Sequence, residues 1–137
     1  ACTLMMIDID HFKQINDVHG HDVGDKVLKH LAALVRANVR QSDLVARFGG
    51  EEIALVLPMH DANRGFNLGE RLRKAVEATP YLHEDGAEIR ISVSIGVYAN
   101  NGEDAAEPFS AAFKRADMAL YRAKSAGRNR VEIAIAA

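Results

Sequence analysis

"DLVARFGGEEIALVLP", residues 43–58, sets two strand-like runs around a Gly-Gly pair. Runs of this kind joined at glycines predict a tight β-hairpin, because primed turns need positive φ. The second run opens with Glu51 and Glu52, two adjacent carboxylates leading into a segment apolar enough to be buried. Neighbouring residues of a strand point to opposite faces, so one glutamate is free to face an adjacent strand while the other points away.

Working outward, Thr3–Asp8 is a nearly continuous apolar run, as expected for a central strand covered on both faces. The polar stretch "HFKQINDVHGHDVGD" (11–25) reads as a long connection with one helical turn, a length often given over to function. From Val23 to about Arg40, apolar residues recur at helical spacing, with Asp22 as N-cap. A second amphipathic helix spans Asn63–Ala78, with Phe66, Leu68, Leu72 and Val76 inward. "EIRISVSIGVYA" (88–99) alternates with period two, placing Ile89, Ile91, Val93, Ile95 and Val97 on one face. A Gly, Asn and acidic loop (100–108) follows. "SAAFKRADMALYRAKSAG" (110–127) is a third helix ending at Gly127, and "RVEIAI" (130–135) a last strand. The order predicts an α/β (α+β) fold: a mixed central sheet with a β-hairpin, surrounded by helices. With no repeat or linker in sight, residues 1–137 read as one domain.

Composition narrows the function classes. At 48% hydrophobic and 26% charged residues the chain is an ordinary globular protein, long enough for a real core. A formal net charge of -2 supplies no bulk attraction to nucleic acid or an anionic membrane, so an anionic ligand needs a local cluster of cations. Cys2 is the single cysteine, which excludes an intrachain disulfide framework or thiolate zinc site and suits the cytoplasm. No apolar run reaches the roughly 18 residues of a membrane span, and "ACTLMMIDID" lacks the pattern of a signal peptide. The chain begins almost inside a strand, so a longer multidomain parent is expected.

Several residues carry chemistry. Asp8 ends the first strand, where ligands of α/β sheets collect. An Asp and a Glu converging there repel unless a cation lies between them, and hard oxygen donors suit magnesium, with phosphates and waters as its other ligands. From spacing alone, a solvated hairpin tip beside an unrelated aspartate is the favoured reading. Lys13, Asn16, His19, His21 and Asp25 surround Gly20 and Gly24, a setting fit for a phosphate or a base. Asn16 as a turn former and Asp25 as a first-turn helix acid are the plain alternatives. For His19 and His21, loop hydrogen bonding outweighs a metal reading. Lys124 and Arg128 straddle Gly127 in "KSAGR", either as helix-end cations or as a triphosphate clamp. "RQSD" sets Arg40 and Asp43 just ahead of the hairpin.

Taken in order, "MMIDIDHFKQIND", "GHDVGDKVL", "RQSDLVARFGGEEI", "SVSIGV" and "ALYRAKSAGRNRV" resemble the GGDEF domain of bacterial diguanylate cyclases over essentially the whole chain. The resemblance implies a fold similar to the nucleotidyl cyclase and polymerase palm. It implies a GTP-dependent nucleotidyltransferase that joins two GTP molecules into cyclic di-GMP and releases two pyrophosphates. Glu51 takes the catalytic acidic position, as metal ligand and general base. Asp8 and the Ile9 carbonyl are its partner ligands for two Mg2+ ions, with Mn2+ as a substitute. Asn16 and Asp25 match guanine-reading positions, Lys13, Lys124 and Arg128 the phosphate contacts, and His21, Gly49 and Gly50 lie beside the substrate. Arg40 and Asp43 match an inhibitory R-x-x-D product site, with Arg71 as a supporting arginine. A second copy of the domain completes catalysis, and an N-terminal regulatory domain belongs to the full-length protein.

One departure is Ile53 where the family usually has phenylalanine; both are apolar and expected to pack inward. The rival function is a catalytically weak cyclic di-GMP sensor working through Arg40 and Asp43. Against it stand Glu51, Asp8 and Lys124, which a retired site does not need.

Overall fold

The computed structural model describes residues 2–100 and 107–134. The elements run β1 (Cys2–Ile9), α1 (Phe12–His19), α2 (His21–Asn38), β2 (Leu44–Phe48), β3 (Glu52–Pro58), α3 (Ala62–Ala78), β4 (Tyr81–Leu82), β5 (Glu88–Ile89), β6 (Val93–Asn100), α4 (Phe109–Ser125) and β7 (Val131–Ile133). Five strands form a sheet in the order β2-β3-β1-β6-β7, antiparallel except for the parallel β6–β7 pair. The expected mixed sheet with a hairpin and flanking helices is what the chain builds, and β1 lies at its centre.

Alternation along the strands divides the core in two. Met5, Ile7 and Ile9 of β1 join Ile53, Leu55 and Leu57 of β3 and Val93, Ile95 and Val97 of β6 on one face. Against them pack Val27, Leu31 and Val35 of α2 and Leu68, Leu72 and Val76 of α3. On the other face Leu4, Met6 and Ala54 meet Ala112, Ala116 and Leu120 of α4. β1 is therefore apolar on both sides because helices cover both sides. Ile53 is 3% exposed, so the side chain that replaces the usual phenylalanine does pack inward.

Four expectations need correction. The stretch 11–25 is not a long connection: α1 occupies most of it, and α2 begins at His21 after Gly20. Buried Phe12 and the neighbouring Ile15 anchor α1, an apolar signal too sparse to register as periodic. Asp22 sits in the first turn of α2 rather than at its cap, and Asp25 lies beyond that turn. The strand read across 88–99 is broken, for Glu88–Ile89 pairs with β4 in a separate two-stranded sheet. Ile89 and Ile91 are buried nonetheless, because period two reports the buried face and not the hydrogen-bonding partner. Finally, the hairpin is not a two-residue turn. Phe48 pairs with Glu52, leaving Gly49, Gly50 and Glu51 as a three-residue loop in which Gly49 alone has positive φ, 75°. The third helix, by contrast, ends as expected. Most of the 100–108 loop, and Ile135 of the last strand, lie outside the described residues.

Candidate functional site

The end of β1 gathers the carboxylates. Asp8 is the cross-strand partner of Glu52, so these two share the sheet face that α4 covers. Glu51, being in the turn, is free of strand alternation, and the reading that one glutamate points away fails for that reason. The charge of Asp8 acts on both glutamates. Burial first, then the charge of Asp8, raises the Glu51 carboxyl above the usual range, with Lys124 pulling it back. Glu52 is raised in the same way, with Asp117 of α4 adding to the repulsion.

α4 brings the positive charge. Its C-terminus closes as a Schellman motif: the Arg128 N–H donates to the Ala123 carbonyl at 3.0 Å and the Gly127 N–H to the Lys124 carbonyl at 3.4 Å. Gly127 supplies the required positive φ, 124°. The motif puts Lys124 and Arg128 at the same end of the helix, and Lys124 pairs with Asp8. Burial lowers the Lys124 ammonium, but hydrogen bonding and charge from Asp8, with help from Glu52 and Glu51, outweigh it and leave the group raised. Asp8 stays raised as well, because burial and the adjacent Asp10 outweigh the lysine. Lys124 is the cation that acts on all three carboxylates, and each of them stays raised despite it.

A cavity of about 300 Å³ opens here, at the small end of ligand sites. Asp8, Ile9, Lys13, Glu51, Lys124 and Arg128 all line it, so six of the residues singled out from the sequence meet in one place. The donor set suits a hard cation. Asp8 Oδ1 is buried without a hydrogen-bond partner among the described residues, a lone carboxylate oxygen awaiting positive charge. Among the described residues no three His, Cys, Asp or Glu side chains form a metal cage. Two carboxylates and a carbonyl leave room for the phosphates and waters that magnesium prefers.

Asn16, His21, Asp25, Gly49 and Gly50 do not line this cavity. Asn16 lies on α1, its Oδ1 buried against Gly24 of α2 and without a hydrogen-bond partner among the described residues, while His21 and Asp25 are exposed on α2. Asp10, His11 and Gln14 line the cavity and were missed, although Asp10 stood in plain view in "DID".

A second cavity, about 320 Å³, unites Arg40, Asp43 and Arg71 with Asn38, His60 and Arg64. Asp43, 8% exposed, accepts from the Arg40 N–H at 2.8 Å and faces its guanidinium at 3.5 Å. Arg40 Nη2 also donates to the Pro58 carbonyl at 2.7 Å and lies 3.0 Å from His60 Nδ1. Arg71 donates to the Asn38 carbonyl at 2.7 Å. Asp43 thus orients Arg40, and Arg40, Arg64 and Arg71 concentrate positive charge at this cavity.

Comparison with known proteins places these features in a family. Residues 1–130 match the family model described as "Diguanylate cyclase, GGDEF domain". The chain is 51% identical over 131 residues to diguanylate cyclase DgcP of Pseudomonas aeruginosa, covering 96% of this chain and 19% of that protein. It therefore spans about a fifth of that relative's length. Among solved structures, the GGDEF domain of PA1120 (YfiN or TpbB) from P. aeruginosa superposes with a TM-score of 0.92 at 34% identity, over 99% of this chain and 83% of that one. The GGDEF domain of DgcB from Caulobacter crescentus, in complex with c-di-GMP, gives 0.90 at 33% identity, over 97% and 77%. No helix among the described residues is long and apolar enough to cross a membrane.

Proposed function

This chain belongs to the GGDEF domain family of diguanylate cyclases, and we propose that it condenses two GTP molecules into cyclic di-GMP, releasing two pyrophosphates. The observation that carries the reading is the juxtaposition of Asp8, Glu51, Lys124 and Arg128 around one cavity, with a buried Asp8 oxygen that has no hydrogen-bond partner among the described residues. Asp8, Glu51 and the Ile9 carbonyl would hold Mg2+, or Mn2+ in its place. A bound ion there neutralises triphosphate charge and makes the ribose 3′-hydroxyl more acidic. Lys124, Arg128 and Lys13 hold the triphosphate, the two helix-end cations by virtue of the Schellman turn. Asn16 and Asp25 read the guanine through its N–H donors, with His21 close to Asp25 at the start of α2. Glu51 takes the proton as the 3′-oxygen of one GTP attacks the α-phosphorus of the other. Gly49 and Gly50 keep the hairpin tip free of side-chain bulk where the nucleotide approaches. Each domain presents one GTP, so two copies must face each other across a two-fold axis.

The test is product formation by the purified chain with GTP and magnesium, followed by chromatography across protein concentrations. Cyclic di-GMP should form with a steeper than linear dependence on protein. Tight cyclic di-GMP binding with no product at the highest concentration overturns the cyclase reading in favour of a sensor.

We further propose that the Arg40, Asp43 and Arg71 cavity binds the product and inhibits the enzyme. Support comes from its two anchored arginines and from the c-di-GMP complex of the DgcB domain. Arg40→Ala removes the fork and leaves Asp43 buried without its guanidinium. Inhibition by added cyclic di-GMP should weaken about tenfold or more, as expected for a lost charge-assisted contact. Inhibition titrations matching the unmodified chain would sink this idea.

A further inference from the structure

The turn that carries Arg128 is held by more than its own helix. Arg128 and Asn129 adopt successive left-handed conformations, with φ of 64° and 48°. Non-glycine residues persist in that region only when the surroundings impose it. The constraint comes from Asp10, a carboxylate 6% exposed at the end of β1. Its Oδ2 accepts from the Asn129 N–H at 3.0 Å and from Ser92 Oγ at 2.6 Å, and its Oδ1 accepts from Ser94 Oγ at 2.6 Å. From the other side α3 grips the Asn129 side chain: Arg73 donates to Oδ1 at 3.3 Å, and Nδ2 donates to Glu77. The Arg128 backbone is therefore fixed at both ends, by its own N–H on the Ala123 carbonyl and by the next N–H on Asp10.

We propose that Asp10 is a positioning residue for substrate binding: it fixes the Arg128–Asn129 turn so that the Arg128 guanidinium meets the triphosphate. A carboxylate suits the task because it accepts from three donors at once. Serine hydroxyls can reverse and donate or accept, but the Asn129 N–H can only donate. The inference rests on the phosphate role of Arg128.

The experiment measures KM for GTP and kcat at saturating magnesium for Asp10→Ala and Asp10→Asn, each alone and combined with Arg128→Ala. Arg128→Ala should raise KM about tenfold, the scale of one charge-assisted phosphate contact. Asp10→Ala should raise KM by a similar factor with kcat little changed, and should add less than about twofold in the Arg128→Ala background. Asp10→Asn can still present an oxygen to the Asn129 N–H and should restore KM to near the unmodified value. Equal rises in both backgrounds overturn the proposal, and so does an Asn variant as poor as the Ala variant, which would mark a role for the charge itself. Should Asp10→Ala not fold, Ser92→Ala carries the same comparison, because it loosens the oxygen that Asn129 shares. A rise of about twofold confined to the Arg128-containing background supports the proposal, and an unchanged KM overturns it. Failure of the underlying reading shows separately, as an unchanged KM in Arg128→Ala alone, and takes the proposal with it.

Discussion

Glu51→Gln should cut cyclic di-GMP formation about a thousandfold or more at saturating GTP, the middle of the range for losing a general acid or base. Glutamine keeps the size of the side chain but neither its charge nor its basicity. Burial and the Asp8 charge raise the Glu51 carboxyl, which makes the ionised form a stronger base than an exposed glutamate. The same substitution turns one of the two carboxylates proposed for the metal into a neutral amide, a weaker ligand for a hard cation. GTP binding, measured by calorimetry, should change only a few-fold, since Lys13, Lys124 and Arg128 line the cavity independently of the hairpin tip. Glu52→Gln is the informative partner. Glu52 stands directly across from Asp8 but is absent from the cavity lining, so its loss should relieve repulsion on Asp8 without removing the base. Product formation by Glu51→Gln within tenfold of the unmodified chain would move the catalytic role elsewhere.

That contrast between adjacent glutamates shows where sequence reading stops. Spacing alone identified the hairpin, the central strand and the end of α4, because glycines and continuous apolar runs mark them directly. It did not reveal whether Glu51 belongs to the strand or to the turn. One residue of register decides which carboxylate lies opposite Asp8, and register is a tertiary property set by pairing with β1. The helix α1 was hidden for a related reason: its stability comes from Phe12 in the core and from α2, not from its own pattern. Asp10 was legible as a residue and illegible as a role, since its donors come from positions more than eighty residues away. The Lys124–Arg128 pair was the converse case. "KSAGR" encodes its own geometry, because a glycine at C′ lets the following residue return onto the helix end.

How Lys124 comes to lie over Asp8 leads to the largest expected effect on stability. α4 approaches the sheet through Ala112, Ala116, Ala119 and Ala123, small residues spaced along one face. Beneath them on β6 lies Gly96, paired with Met6 of β1. A Cβ at residue 96 would stand 2.8 Å from Leu120 Cα and closer still to the Ala116 carbonyl oxygen and the Leu120 amide nitrogen. These are backbone atoms of a regular helix, so no side-chain rotation relieves the overlap and α4 itself must lift. Gly96→Ala should therefore destabilise the fold by about 3 kcal/mol, the upper range for overpacking, despite adding a single methyl group. For a chain of this size that corresponds to a fall in Tm of roughly 10 °C, read by thermal melting. Gly50→Ala is the control: no described residue lies within 4 Å of its Cβ position and its φ is not positive, so Tm should move by no more than about 2 °C. A Gly96→Ala melt that coincides with this control would refute the close-approach argument. Lifting α4 also carries Lys124 away from Asp8, so the folded fraction of Gly96→Ala should bind GTP more weakly than the unmodified chain. The glycine that sets the spacing between helix and sheet thereby sets the spacing between the ammonium and the carboxylates.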